Sequence, residues 1–345
     1  MKAVTISQHG GPEVVAVRDV PDPKPAAGEV LVEVRAAALN HLDLWVRKGR
    51  PGTTLRFPHV LGSDGAGVVA EVGPGVEGVR PGDEVILNPA LSCGRCEFCR
   101  RGEQSQCPSF TIVGLGRPGT FAERVAVPAE CVYPKPGHLE FTSAAALPLA
   151  HLTAWRMLVG RAGLRPGERV LIHGIGGGVA LAGLQVAKLL GAEAIVTSSA
   201  QEKLNRARSL GADAAINYRI EQDVARKVLD LTGGRGVDVV MDTVGAATWK
   251  TDFAAVRRGG RIVLCGVTTG AAAETPLNVL YWNQVSVLGS TMGSHEDFRL
   301  MLRAVAAAKL EPVVDSVLPL DRAAEAFARM EAGEQFGKIV LRITD

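Results

Sequence analysis

The chain has 345 residues with a formal net charge of +2, 47% hydrophobic and 21% charged residues, the balance of a globular protein large enough for two domains. A charge so near zero, with no basic arm and only 5% aromatic residues, argues against a nucleic-acid partner or a base-stacking surface. No apolar run approaches the ~18 residues that span a membrane, and the first residues lack the apolar core of a signal peptide. The expected location is therefore cytoplasmic, with no membrane partner.

In chain order, the first third is rich in Gly and Pro and holds short β-branched runs: EVLVEVRAAAL, GAGVVAEVG, DEVILNPAL and FAERVAVPAECVYP. Bounded by Pro-Gly, Gly-Asp and Gly-Pro pairs, these read as strands joined by tight turns. Embedded in this part, SCGRCEFCRRGEQSQC brings together Cys93, Cys96, Cys99 and Cys107. C-x2-C-x2-C-x7-C in a reducing compartment is a metal-site spacing, and four thiolates around one zinc make a closed, structural site. An iron–sulfur cluster and a metal-free thiol loop are the two alternatives; the final spacing is long for the first. Cys131 and Cys265 read as small buried hydrophobes.

From about residue 142 the pattern changes. TSAAALPLAHLTAWRMLV has helical spacing, with Thr142 or Ser143 as the expected N-cap. Strands then alternate with helices: ERVLIHG, an apolar helix from Val179 to Leu190, AIVTSS, the helix EKLNRARSLG, AAINY, VDVVMDTVG and GGRIVLCG. That alternation predicts an α/β, doubly wound parallel sheet. The last 50 or so residues hold two helices and two strands, ending in GKIVLRI.

After the strand RVLIH comes GIGGGVALAG, a glycine turn opening a helix. Such a turn offers unpaired backbone N–H groups to a pyrophosphate, and glycine lets the phosphate approach. Gly174, Gly176, Gly177, Gly178 and Val179 are the cofactor-binding candidates here, with Ala180 at the third fingerprint position. At the end of the second strand, where an NAD site carries a carboxylate, stand Ser198 and Ser199, followed by Lys203 and Arg206. Hydroxyls and a cation accept a 2′-phosphate that a carboxylate would repel, so NADP(H) is favoured over NAD(H). The alternative is a solvated helix face and an unselective site.

The four-cysteine lobe, GSDGAGVVAEVG, the helix ending in LTAW, the glycine turn and the final GKIVL together resemble the medium-chain dehydrogenase/reductase superfamily, over nearly the whole chain. The resemblance implies a mostly β, GroES-like catalytic domain at 1–150 and 293–345, with a structural zinc lobe at 92–108. It also implies a Rossmann domain at 151–292, a cleft between the two, and a homodimer or homotetramer joined through the Rossmann sheets. In the zinc alcohol dehydrogenases of this superfamily three positions bind a catalytic zinc; here they read Asn40, Ser63 and Leu149, none a good ligand. Asp64 stands where those enzymes carry Glu. A rebuilt metal site would have to gather three of His41, His59, Asp64 and His151. Without one, His41 reads as a hydrogen bonder to cofactor, His59 as a loop residue and His151 as a helix residue.

NHLD at 40–43, GSDGAGVV, Gln185 and Lys188 resemble the zinc-independent quinone oxidoreductase branch; Ile175 and Ala180 depart from its pattern. The resemblance implies Asn40, Asp43 and Thr153 as catalytic residues: Asn40 toward a developing oxyanion, Asp43 ordering the loop or relaying a proton, Thr153 beside the nicotinamide. Gly266 and Val267 are expected near the same ring and Lys338 at cofactor phosphate. Asp242 is expected to stabilise the loop near the cofactor. The expected activity is hydride transfer from NADPH to a small quinone, enone or other carbonyl compound, with one structural Zn2+ per chain. Two alternatives stand beside it: an alcohol dehydrogenase with a remodelled or absent catalytic metal, and a non-catalytic NADPH-binding regulatory or scaffold protein.

Overall fold

The computed structural model describes residues 1–49, 52 and 54–344. The chain forms two compact units: Met1–Leu152 with Gly293–Asp345, and Thr153–Met292. The change of unit falls two residues beyond the expected 150/151 boundary.

The first unit is built on a seven-stranded sheet in which the order Asp64–Val72, Glu29–Ala38, Lys338–Arg342 brings three distant segments side by side. Both pairings to the central Glu29–Ala38 strand are antiparallel, with Ala38 opposite Asp64 and Val340 opposite Ala38. Continuing the second register by two residues sets Lys338 across from Asn40. Leu39 N–H donating to Ile339 O at 2.9 Å keeps that alignment past the last paired residue. Three strand ends therefore coincide, and the residues just beyond them share one buried corner.

Gly67 shows why this part of the chain carries GAGVV. A Cβ there would lie 2.0 Å from Glu33 O on the neighbouring strand, so only hydrogen fits.

The second unit carries a six-stranded, all-parallel sheet in the order Ala214–Asn217, Glu193–Ser198, Arg169–Ile172, Val237–Asp242, Val256–Leu264, Ser286–Gly289. In chain order these are strands 3-2-1-4-5-6, the doubly wound arrangement that the alternating strands and helices predict. The apolar helix runs Gly178–Leu189, one residue earlier than expected. It packs so closely that a Cβ at Gly183 would meet Met241 Sδ at 2.4 Å. Ala180 is buried as expected, but Gly183 is where helix and sheet come closest.

The segment around 142 corrects one expectation. Its first helix spans Phe141–Ala145 with Glu140 at the N-cap position, so Thr142 and Ser143 lie inside it. Pro148 opens a second helix, Pro148–Trp155, and wider turns with i→i+5 bonding continue through Arg156–Arg161. Pro148 lacks the N–H that would continue the first helix, which fixes the break.

Candidate active site

The buried corner of the first unit starts from Asn40, which precedes the helix His41–Lys48. Asn40 N–H donates to Asp43 Oδ2 at 2.7 Å, and Asp43 N–H to Asn40 O at 2.9 Å, closing the first turn. Burial, opposed by the N–H groups of Asn40 and Gly62 and by Lys338, pushes the Asp43 carboxyl up to about 7.

Asp64, fully buried, is the hub of the corner. Its carboxylate accepts from Lys338 Nζ at 2.8 Å, Asn40 Nδ2 at 3.0 Å and the Leu149 backbone N–H at 2.8 Å. Lys338 Nζ donates also to Asn40 Oδ1 at 2.5 Å. The ammonium expected at cofactor phosphate is instead spent on an ion pair inside the first unit, because the register of its strand leaves it 5% exposed beside Asp64. Asn40 likewise uses its amide within the corner, on Asp64 and, at 3.4 Å, on Ala38 O. Ser63 Oγ is buried and has no partner among the described residues.

The histidines do not converge. His59 lies in a short strand, not a loop, with Nε2 bonded to Gly114 O at 2.9 Å. His151 Nδ1 faces Leu147 O at 3.2 Å, one helical turn back. His41 opens its helix on the exposed side, and lost hydration, then Lys338 and Lys48, depress its proton affinity. Among the described residues, the one group of three or more His, Cys, Asp or Glu able to hold a metal is Cys93, Cys96, Cys99 and Cys107.

That group fits zinc. The four sulfurs all lie within 4.8 Å of one another, with Cys96–Cys99 at 3.5 Å and Cys93–Cys99 at 4.0 Å. A tetrahedral ion with Zn–S near 2.3 Å needs sulfurs about 3.8 Å apart. Backbone N–H groups of Arg95 and Cys96 pull the Cys93 thiol below its usual value, favouring the thiolate a metal requires. With all four positions filled by sulfur, such an ion has no place for water or substrate.

In the second unit, Gly174 and Gly176 take positive φ of 68° and 124°, conformations glycine adopts without strain. A Cβ on Gly176 would sit 3.5 Å from Lys203 Nζ and 2.9 Å from its Cδ. The Lys203 side chain thus lies over the glycine turn rather than projecting along a solvated helix face. Gly177 precedes the helix that Gly178 and Val179 open. Ser198 is buried, its Oγ accepting from Ala200 N–H at 3.2 Å, and Ser199 is half-buried. No carboxylate stands at the end of this strand. Lys188, singled out with Gln185 by the resemblance, pairs with Asp213 at 2.7 Å.

Asp242 accepts from Val244 N–H at 2.6 Å, Gly245 N–H at 3.2 Å and Thr248 Oγ1 at 3.0 Å, binding the loop after its strand. That loop touches the Gly266–Val267 turn: a Cβ on Gly245 would meet Val267 Cα at 3.0 Å. Thr153 Oγ1 lies 3.8 Å from Met292 Sδ. Burial pushes the Cys131 and Cys265 thiols up to about 12, as expected of inert cysteines, although Cys265 is only half-buried. The residues that sequence reasoning passed over are Asp64 as hub, Ser63 as an unpaired hydroxyl, Gly183 as the contact point of helix and sheet, and the buried His173–Asp252 pair.

Comparisons with known proteins agree with this architecture. Residues 26–137 match the alcohol dehydrogenase GroES-like domain, and 178–307 the zinc-binding dehydrogenase family. An alcohol dehydrogenase of Geobacillus stearothermophilus is 33% identical, covering 99% of this chain and 100% of that protein. The acryloyl-coenzyme A reductase of Metallosphaera sedula is 31% identical, covering 99% of both. A crystal structure of an NAD-dependent alcohol dehydrogenase superposes with a TM-score of 0.95 at 49% identity over the full length of both chains. With its GroES-like domain, parallel dinucleotide-binding sheet and four-cysteine lobe, the chain belongs to the zinc-containing alcohol dehydrogenase family of the medium-chain dehydrogenase/reductase superfamily and is an NAD(P)-dependent oxidoreductase.

Proposed function

We propose that the chain reduces conjugated carbonyl compounds, quinones or enones, with NADPH and without a catalytic metal. One observation carries the reading. Asn40 and Leu149, two of the three ligand positions of the zinc enzymes, both donate to Asp64, and the cation beside that carboxylate is the Lys338 ammonium. A divalent ion entering there would meet a buried positive charge and a set of oxygen donors already engaged.

Bound to the glycine turn, the dinucleotide would supply a hydride from its nicotinamide. In a conjugated acceptor the hydride adds at the carbon β to the carbonyl, the double-bond electrons move toward the oxygen, and a proton completes the product. The acceptor spreads its own charge, so the protein has only to orient it, exclude water and place polar groups at the oxygen. Asn40, polarised by Lys338, is assigned to that oxygen by exchanging its long 3.4 Å bond to Ala38 O for the substrate, Asp43 to loop order or proton relay, and Thr153 to the nicotinamide side. The name of the Metallosphaera reductase, an enzyme of an unsaturated acyl thioester, supports this substrate class.

A second reading, oxidation of alcohols, draws on the 49% identical NAD-dependent alcohol dehydrogenase. The two separate on metal content and substrate. The proposal expects one zinc per chain, turnover of NADPH with quinones or enones, and indifference to weak chelators. Two metals per chain and chelator-sensitive alcohol oxidation would establish the second reading.

NADPH is the proposed cofactor because Ser198 and Ser199 replace a carboxylate and Lys203 reaches the glycine turn. His41, Gly266 and Val267 are proposed to contact it. A cytoplasmic homodimer or homotetramer is proposed, supported by the exposed Leu277, Tyr281, Trp282 and Val287 at the Ser286–Gly289 edge of the parallel sheet. Light scattering tests it.

A further inference from the structure

The residue before the glycine turn is His173, and its ring is 2% exposed. It reaches in two directions. Nδ1 lies 3.2 Å from Thr197 Oγ1 on the neighbouring strand, and Nε2 lies 2.8 Å from Asp252 Oδ1 on the helix Trp249–Ala255. Thr197 also holds the turn itself: its Oγ1 accepts from Gly174 N–H at 3.4 Å and its carbonyl from Ile175 N–H at 2.8 Å. Beyond Asp252 stands Asp242, which fastens the loop that leads into the same helix. A buried chain, Thr197–His173–Asp252–Asp242, therefore links the pyrophosphate turn to the loop beside Gly266 and Val267.

This chain is short of protons or of donors. Asp252 is fully buried, and its Oδ2 accepts no hydrogen bond among the described residues. Burial, opposed by the hydrogen bond and charge of His173 and reinforced by the Asp242 carboxylate, pushes Asp252 up to about 7. The charged or titratable groups acting on Asp252 are His173 and Asp242; Asp242 in turn faces Cys265, whose thiol is pushed up to about 12 and stays neutral. Asp242 has its own donors, so the proton held by Asp252 lies on its 2.8 Å hydrogen bond to His173.

We propose that His173 and Asp252 are positioning residues for the dinucleotide and form a proton site linked to its binding, taking up a proton as the pyrophosphate settles on the glycine turn. An anion beside Gly174 opposes a further negative charge nearby and so favours the protonated, uncharged form of Asp252. The protonated pair keeps both its contacts, Thr197 and Asp252, and so keeps the turn in register. By linkage, affinity is highest below the pKa of Asp252, about 7, and falls as pH rises through it. The inference is independent of the substrate that the chain reduces.

The test is isothermal titration of the zinc-loaded protein with NADH, which has no group of its own titrating between pH 6 and 8. At pH 7, in two buffers of different ionisation enthalpy, the expected uptake is about 0.3–0.5 proton per chain, with Kd rising about threefold to tenfold from pH 6 to pH 8. Asp252→Asn, which keeps an acceptor for His173, is expected to bind NADH with no uptake and a flat pH profile. His173→Gln gives the same measurement if the first variant fails to fold. No proton uptake by the unaltered protein overturns the proposal. So does a variant that binds more weakly at every pH with the uptake unchanged, because the residues would then serve structure alone.

Discussion

Replacing Lys338 with Met tests the buried corner most directly. The two side chains have similar length and volume, so the cavity left is small and the effect is chiefly electrostatic. Asp64 would keep the Asn40 amide and the Leu149 N–H but lose its counter-ion at 2.8 Å, while Asn40 Oδ1 would lose the ammonium at 2.5 Å. Leaving one partner of a buried pair uncompensated costs about 3–5 kcal/mol. For a unit of this size that corresponds to a drop of about 6–20 °C in the thermal midpoint. Adding Asp64→Asn removes the stranded charge, and the double variant is expected to recover more than half of the loss. Thermal and urea unfolding followed by tryptophan fluorescence read both variants. A loss below about 1 kcal/mol in the single variant would refute the reasoning, since that is the size of a water-exposed ion pair.

Other expectations follow from the same geometry. Cys96→Ser is expected to lower zinc from one equivalent per chain toward zero by mass spectrometry and to expose the 92–108 lobe to protease, because three thiolates no longer close the tetrahedron. Lys203→Ala is expected to lower kcat/KM for NADPH about tenfold or more and for NADH far less, since it removes a cation over the turn without touching the glycines. Equal losses with both cofactors would return Lys203 to a general phosphate contact. Asp43 has its folded pKa raised to about 7 from ~3.9 in an unfolded chain. Its contribution to stability is therefore full below pH 4 and is lost as pH rises through 7, by at most ~4 kcal/mol. Asp43→Asn should flatten the urea midpoint across that range; an unchanged slope would show that the carboxylate is ionised throughout.

The sequence by itself determined the features whose information is local. Four cysteines within fifteen residues need only a loop to converge, and the structure brings their sulfurs within 4.8 Å. The glycine turn after RVLIH lies between a strand and a helix, and the alternation of strands and helices gives the parallel sheet because each βαβ step has one favoured hand. The loss of ligand-type residues at Asn40, Ser63 and Leu149 was legible once the resemblance to the zinc alcohol dehydrogenases marked those positions. What took their place was not. Lys338 lies 274 residues from Asp64 in sequence, and only the joint register of three strands makes them partners. A lysine in GKIVL reads the same whether it faces solvent, phosphate or a buried carboxylate. His173 and Asp252, 79 residues apart, meet because the strand before the turn and a helix seven elements later cover the same end of the sheet. Lys203 was a candidate for the 2′-phosphate, with a solvated helix face as the alternative, and only the packing of its side chain over Gly176 separates the two. Spacing along the chain specifies turns, clusters and repeats of structure; which buried charge faces which is fixed by packing, where desolvation makes an unmatched partner cost several kilocalories.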